Sequence, residues 1–245
     1  MAPMATILTI GNELVAGDVE NTNASWLAKR LEALGVKVDL IAAVPDEIDR
    51  IATFIRLGAP LADVVVVTGG LGGTPDDVTR EALATAFGVE QVEVPGLADE
   101  LRARFKGDPE YAAQFARLPA GCRPIPNPLG GAPGFAIANV YVLPGLPPEM
   151  EAMFDAIADE LRSGSPITSW RRRYRTTESR IVTVLREMGE RHPGVLVGSY
   201  PSFHAHGAEV EVVVKSSDPE TLAEAAAWIE AALDEATRPS APPST

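Results

Sequence analysis

The chain is poor in the residues that bind metals through sulfur or imidazole: it has one cysteine, Cys122, and three histidines, His192, His204 and His206. A lone cysteine excludes an intrachain disulfide, and so few imidazoles leave a thiolate or histidine cage without members. Any metal should therefore have oxygen ligands, which points to Mg²⁺ or a relative such as Mn²⁺ or Co²⁺. His204 and His206 read as solvent-facing residues of a loop between two strands, Cys122 as a small buried thiol, and none is assigned a role. Long apolar runs are missing too. No stretch approaches the ~18 residues of a membrane helix, and Met1-Ala2-Pro3-Met4 lacks the parts of a signal peptide, so a soluble, cytoplasmic protein without a membrane partner is expected. Positive charge is scarce: 21 basic against 34 acidic residues leave a formal charge of −13, which repels a polyanion and argues against nucleic acid as a partner. Arg171-Arg172-Arg173 is the local exception, read as the exposed face and start of a strand or else as a phosphate or partner contact.

What is present is apolar bulk in ordered alternation. With 245 residues and 46% hydrophobic content, the chain has room for one large α/β domain and a smaller one. Thr6 to Ile10 reads as a strand, and Asn23 to Leu34 as a helix with Trp26, Leu27, Leu31 and Leu34 on one face. A strand from Val36 to Ala43 and a helix opened by Pro45-Asp46-Glu47 repeat the pattern. Val64 to Val67 is an uninterrupted β-branched run, as expected of a strand covered on both faces, and a helix follows from Thr79 to Phe87. Leu97 to Leu118 reads as helix broken at Gly107-Asp108-Pro109, and Pro119 to Gly134 as loop. Phe135 to Ile137 and Val140 to Leu143 form a hairpin turned at Ala138-Asn139, and Pro147 to Leu161 is a helix. Alternating strands and helices imply a parallel-rich sheet over residues 1–163. Beyond the linker Ser163-Gly164-Ser165-Pro166, residues 167–237 read as a small βαββα module, and 238–245 as a disordered tail.

The chemistry concentrates in Gly69-Gly70-Leu71-Gly72-Gly73-Thr74-Pro75-Asp76-Asp77. Backbone N–H groups converging on an anion need positions without side chains, and this run joins a buried strand to a helix N-terminus. The lysine and spacing of a nucleoside-triphosphate loop are missing, as is a dinucleotide fingerprint. A helix cap is one reading of Asp76 or Asp77, but two carboxylates beside bound phosphate would repel it without a divalent cation between them, which favours a metal site at Asp76 and Asp77. The first strand ends in Gly11-Asn12-Glu13-Leu14, delivering Glu13 to the edge where open α/β sheets bind ligands; a carboxylate merely in solvent is the other reading. Asn23 either hydrogen-bonds a ligand or caps the helix it precedes.

These segments, with Asp18 to Asn23, Thr68 to Thr79, Asn127-Pro128-Leu129-Gly130-Gly131-Ala132-Pro133-Gly134-Phe135 and Leu143 to Met150, resemble the molybdopterin-binding domain of the CinA (competence/damage-inducible) family. Glu178-Ser179-Arg180 and Gly198-Ser199-Tyr200-Pro201 resemble that family's small second domain. The resemblance implies a three-layer α/β/α fold like that of MogA, MoaB and MoeA, with a small α+β second domain. It places ligand contacts at Gly69, Gly70, Gly72, Gly73 and Thr74, with Asn23, Asn127 and Gly130 beside them, and metal carboxylates at Asp76 and Asp77. Gly73 stands where such loops usually carry proline, which implies a looser loop. Family members often continue into a nicotinamide-nucleotide deamidase domain, for which this sequence leaves no room, so deamidase activity is not expected.

Three functions follow from that resemblance. The first is metal-dependent hydrolysis of a nucleotide pyrophosphate of the ADP-ribose or FAD type, with Asp76, Asp77 and Glu13 as catalytic carboxylates. The second is binding or adenylylation of molybdopterin in molybdenum-cofactor synthesis. The third is non-catalytic sensing of a nucleotide or pterin phosphate. A homodimer is expected from exposed strands and the alanine-rich helix Leu222 to Leu233, although that helix has its own sheet to pack against.

Overall fold

The computed structural model describes residues 3–205 and 207–238. His206 and the tail beyond Arg238 therefore lie outside the described residues. The chain divides into two compact units, residues 1–163 and 164–245.

The first unit runs β1 (Met4–Ile10), α1 (Asn12–Ala16), α2 (Thr22–Ala33), β2 (Lys37–Val44), α3 (Ile48–Gly58), β3 (Val64–Thr68) and α4 (Thr79–Phe87). It continues with β4 (Gln91–Glu93), α5 (Leu97–Arg104), α6 (Pro109–Ala113), a 3-10 turn Gln114–Ala116, β5 (Arg117–Pro119), β6 (Arg123–Ile125), β7 (Gly134–Ile137), β8 (Val140–Leu143) and α7 (Pro147–Leu161). Its main sheet has the order β2-β1-β3-β8-β7-β6. β1 pairs in parallel with β2 and β3, and β3 with β8, while β7 and β6 are antiparallel additions.

Side chains alternate across this sheet, so each strand feeds two cores. Ala5, Ile7, Val66 and Leu143 face Leu27, Leu31, Met150 and Phe154 of α2 and α7. Leu8, Ile10, Val65, Val67, Val140 and Val142 face Ile51, Ile55 and Leu83 of α3 and α4. A strand buried on both faces must be apolar throughout, which accounts for the valine run of β3. The result is a three-layer α/β/α unit. Because β1 is flanked by β2 on one side and β3 on the other, the chain leaves it in both directions, and the carboxyl ends Ile10, Val44, Thr68 and Leu143 share one edge around this switch point.

The segments between α4 and β7 differ from expectation. Arg117 and Leu118 are strand rather than helix, and Pro119 strand rather than loop, because Leu118 is fully buried and the segment pairs with β4. The stretch expected to be loop contains β6, which survives as an edge strand despite Pro124. Asn12–Ala16 forms a short helix where loop was expected.

The second unit is β9 (Thr168–Tyr174), α8 (Glu178–Arg191), β10 (Leu196–His204), β11 (Gly207–Ser216) and α9 (Pro219–Ala236), with antiparallel sheet order β10-β11-β9. Its core joins Tyr174, Val210, Val212 and Val214 of the sheet to Ile181, Met188, Ala225, Ile229 and Leu233 of the helices. The alanine-rich α9 thus spends its apolar face on its own sheet. The arginines of β9 are paired internally: Arg172 with Glu230 and Asp234, Arg173 with Glu211, and Arg171 with Glu211 at 3.9 Å. His204 ends β10 rather than lying in the following loop.

Candidate functional site

The glycine run leaves β3 at the shared carboxyl edge, and its shape follows from close approaches that exclude side chains. Gly69 has φ +106°, and a Cβ there would collide with the Ile10 carbonyl; one at Gly70, φ +65°, would lie 3.2 Å from the Thr79 Cβ. Thr79, fully buried, returns the loop to the sheet: its hydroxyl donates to the Gly69 carbonyl at 2.9 Å and its N–H to the Gly70 carbonyl at 3.2 Å.

Asp77 organises the tip. Its carboxylate accepts the N–H of Gly72 and the N–H of Thr74, each at 2.8 Å, and also the Thr74 hydroxyl. This corrects two expectations. Asp77 does not cap α4, whose N-cap position is Val78 with no side-chain bond. Nor do all the loop amides stand ready for a ligand, since a carboxylate of the protein already sits where an anion would. Arg80 clamps the opposite side, donating to the carbonyls of Leu71 and Gly72 at 2.7 and 2.8 Å, with its guanidinium 5.5 Å from the centre of the Phe115 ring. Burial lowers the Arg80 pKa, opposed by the charge of Asp77.

Asp76 is exposed and held below the usual carboxylate range by the Thr74 hydroxyl and its own backbone N–H, although hydrogen-bond geometry assigns that hydroxyl's proton to Asp77. Glu13, in the first turn of α1, is exposed and folds back over Gly11. Asp46, at the end of β2, accepts the Asn12 N–H at 2.7 Å. Its pKa is raised by burial and, against that hydrogen bond, by the charges of Glu13, Asp76 and Asp77. Four carboxylates thus share one electrostatic neighbourhood. Among the described residues, however, no three His, Cys, Asp or Glu side chains converge into a cage. The donor set is all oxygen and incomplete, with Asp77 turned into its loop. A divalent cation there would need water and ligand phosphate to complete its coordination, the usual habit of Mg²⁺.

Two clefts open beside the loop. One, about 140 Å³, lies over the ends of β1 and β3 between Thr9, Glu13, Asn21, Asn23, Thr68 and Gly145. The cap of α2 is Asn21, which accepts the Ala24 N–H at 3.2 Å and donates to Thr9, so Asn23 does not cap that helix. Asn23 donates instead to the Gly145 carbonyl at 2.8 Å and to Thr68 at 3.4 Å, and its buried Oδ1 has no partner among the described residues. The second cleft, about 340 Å³, runs from the glycine loop past Tyr111 and Phe115 to Leu146 and Glu149.

Three further expectations change. Asn127 is 3% exposed and its amide is spent, donating to Ala132 and to Glu149 and accepting the Leu129 N–H, so it holds a turn rather than a ligand. Gly130, with φ +97°, serves the same turn beside Arg104 and borders neither of these two clefts. Gly73 does not loosen the loop: Tyr111 packs directly on it, and a Cβ there would lie 2.5 Å from the Tyr111 Cζ. Asp46, Arg80, Tyr111 and Glu149 were not anticipated. Only Asp46 carried a signal, because it follows β2 at the edge that singles out Glu13.

The three-layer unit that carries this glycine loop is of the molybdopterin-binding-domain class: a family profile described as "Probable molybdopterin binding domain" matches residues 6–163. A second, "FAD synthase, middle domain", matches residues 171–240. A protein of Pyrobaculum calidifontis is 38% identical over 94% of this chain and 93% of its own length. A CinA-like protein of Frankia casuarinae is 41% identical over 76% of this chain, which spans only 48% of that relative. Among solved structures, CinA of unknown function from Thermoplasma acidophilum superposes with TM-score 0.62 at 34% identity, covering 65% of this chain and 98% of the other. The chain belongs to the CinA-like family of molybdopterin-binding-domain proteins. No helix among the described residues is long and apolar enough to cross a membrane.

Proposed function

We propose that the protein is a metal-dependent nucleotide pyrophosphatase acting on a diphosphate of the ADP-ribose or FAD type. The observation that carries this reading is the placement of Asp76 and Asp77 in a glycine loop at the carboxyl edge of the sheet, where Glu13 and Asp46 follow β1 and β2. A bound divalent cation would supply charge neutralisation for the diphosphate. Asp77 and Arg80 hold the loop in shape, and the exposed carboxylates of Glu13 and Asp76 position a water. Attack of that water on one phosphorus breaks its bond to the bridging oxygen; the water proton passes to a carboxylate and the second phosphate departs as the leaving group. The match of the second unit to an FAD synthase segment supports a nucleotide substrate. The test is incubation of purified protein with ADP-ribose or FAD and Mg²⁺, Mn²⁺ or Co²⁺. AMP release is expected, and no release with any metal refutes the reading.

The profile over residues 6–163 favours a second reading, binding or adenylylation of molybdopterin. It predicts tight molybdopterin binding and an ATP-dependent AMP adduct, and absence of both removes it.

A further inference from the structure

Tyr111 is the least explained large side chain near the loop. It lies on α6, where Asp108 accepts its N–H at 3.0 Å and Pro109 opens the helix, so its backbone is fixed. Its ring meets Phe115 edge to face at 5.3 Å, and Phe115, 7% exposed, carries the Arg80 guanidinium that clamps Leu71 and Gly72. Gly73 is small enough for the ring edge to rest on the loop backbone. Phe115 is thus part of the loop's own scaffold. Nevertheless, Tyr111 stays 42% exposed, facing a cleft whose other wall includes Leu146, 58% exposed. At about 340 Å³, the cleft is at the small end of the ~300–1,000 Å³ range of small-molecule pockets. Glu149, aimed by the Asn127 amide at 2.9 Å, adds a carboxylate to its lining with capacity left to accept from an amino group or ring N–H.

We propose that this cleft is the subsite for the planar heterocycle of the phosphate ligand, with Tyr111 as the ring-contacting residue. The proposal rests on the glycine loop holding the phosphate end, as in the pyrophosphatase reading. A hydrophobic, flat contact beside a phosphate loop adds affinity only for ligands that carry a ring, because a π-face has nothing to gain from inorganic diphosphate. Stacking of a base on an aromatic side chain corresponds to roughly 10-fold in affinity.

The test is calorimetric titration of the full chain with ADP-ribose and, as a ring-free probe, inorganic pyrophosphate, both with Mg²⁺. The wild type should bind ADP-ribose more tightly than pyrophosphate. Tyr111→Ala should weaken ADP-ribose by roughly 10-fold while leaving pyrophosphate unchanged, and Tyr111→Phe should retain both. Gly73→Ala, which displaces the ring, should weaken ADP-ribose in the wild-type background and add nothing to Tyr111→Ala. Unchanged ADP-ribose binding in Tyr111→Ala, an equal loss of both probes, or no preference for ADP-ribose in the wild type overturns the assignment. Ring-dependent binding without AMP release would instead sink the pyrophosphatase reading and leave the Tyr111 subsite standing.

Discussion

Replacing Asp77 by asparagine should open the tip of the glycine loop while leaving the sheet beneath it intact. The carboxylate accepts from the Gly72 N–H, the Thr74 N–H and the Thr74 hydroxyl. An amide keeps one oxygen for Gly72 but turns its NH₂ toward the Thr74 N–H, donor against donor, and loses the charge that strengthens all three bonds. Hydrogen bonds to a charged group contribute about 1.5–3 kcal/mol each when buried; the half-exposed setting, where water replaces a lost partner, brings the expected total to about 2 kcal/mol. That corresponds to roughly 30-fold faster exchange of the Gly72 and Thr74 amides through local opening, with β1 and β3 amides unchanged. Hydrogen exchange read by NMR on metal-free protein is the assay. Asp76→Asn is the control, since Asp76 is exposed and should leave both amides as protected as before. If Gly72 and Thr74 exchange equally slowly in Asp77→Asn, the carboxylate does not organise the loop, and a direct role as a metal ligand becomes its better explanation.

Three other outcomes are expected. Phe154 is fully buried and meets Trp26 edge to face at 5.5 Å, so Phe154→Ala should cost the first unit about 3–5 kcal/mol, measured by urea denaturation; a cost under about 1 kcal/mol would contradict the packing described. The Tyr174 hydroxyl is pushed up to about 12 by burial, against the opposing charge of Arg172. Its folded pKa lies above the ordinary value near 10, so its contribution to the second unit is complete below about pH 10 and is lost as pH rises toward 12. Tyrosinate absorbance titrated with and without denaturant checks this, and a Tyr174 ionising at the ordinary value would refute it. Finally, β2 is an edge strand of the six-stranded sheet with Leu40 and Ile41 45% and 46% exposed, and the expected state is a homodimer; light scattering that finds only monomer excludes it.

The parts of this protein legible in its sequence are those that local chemistry decides. The valines of β3 announce a strand covered on both faces, Pro147 marks the first turn of α7, and Ala138-Asn139 fits only a tight turn, with Ala138 indeed at φ 51°. β5 and β6 were illegible because each is three residues long and includes a proline, and only pairing with β4 and β7 makes them strands. The same division runs through the site. Glycines followed by two aspartates advertise an anion loop, but which way a carboxylate turns depends on how the loop closes, and Asp77 turns inward. Tyr111 lies outside the glycine run and reaches Gly73 only through the packing of α6. These two hidden features bear on the function together. Because Asp77 already seats a negative charge in the loop, a phosphate arriving beside it, with Glu13, Asp46 and Asp76 nearby, meets net repulsion. On the proposed reading its binding would call for a cation to offset the charge and a further contact for selectivity, and the cleft at Tyr111 is where the second of these would be supplied.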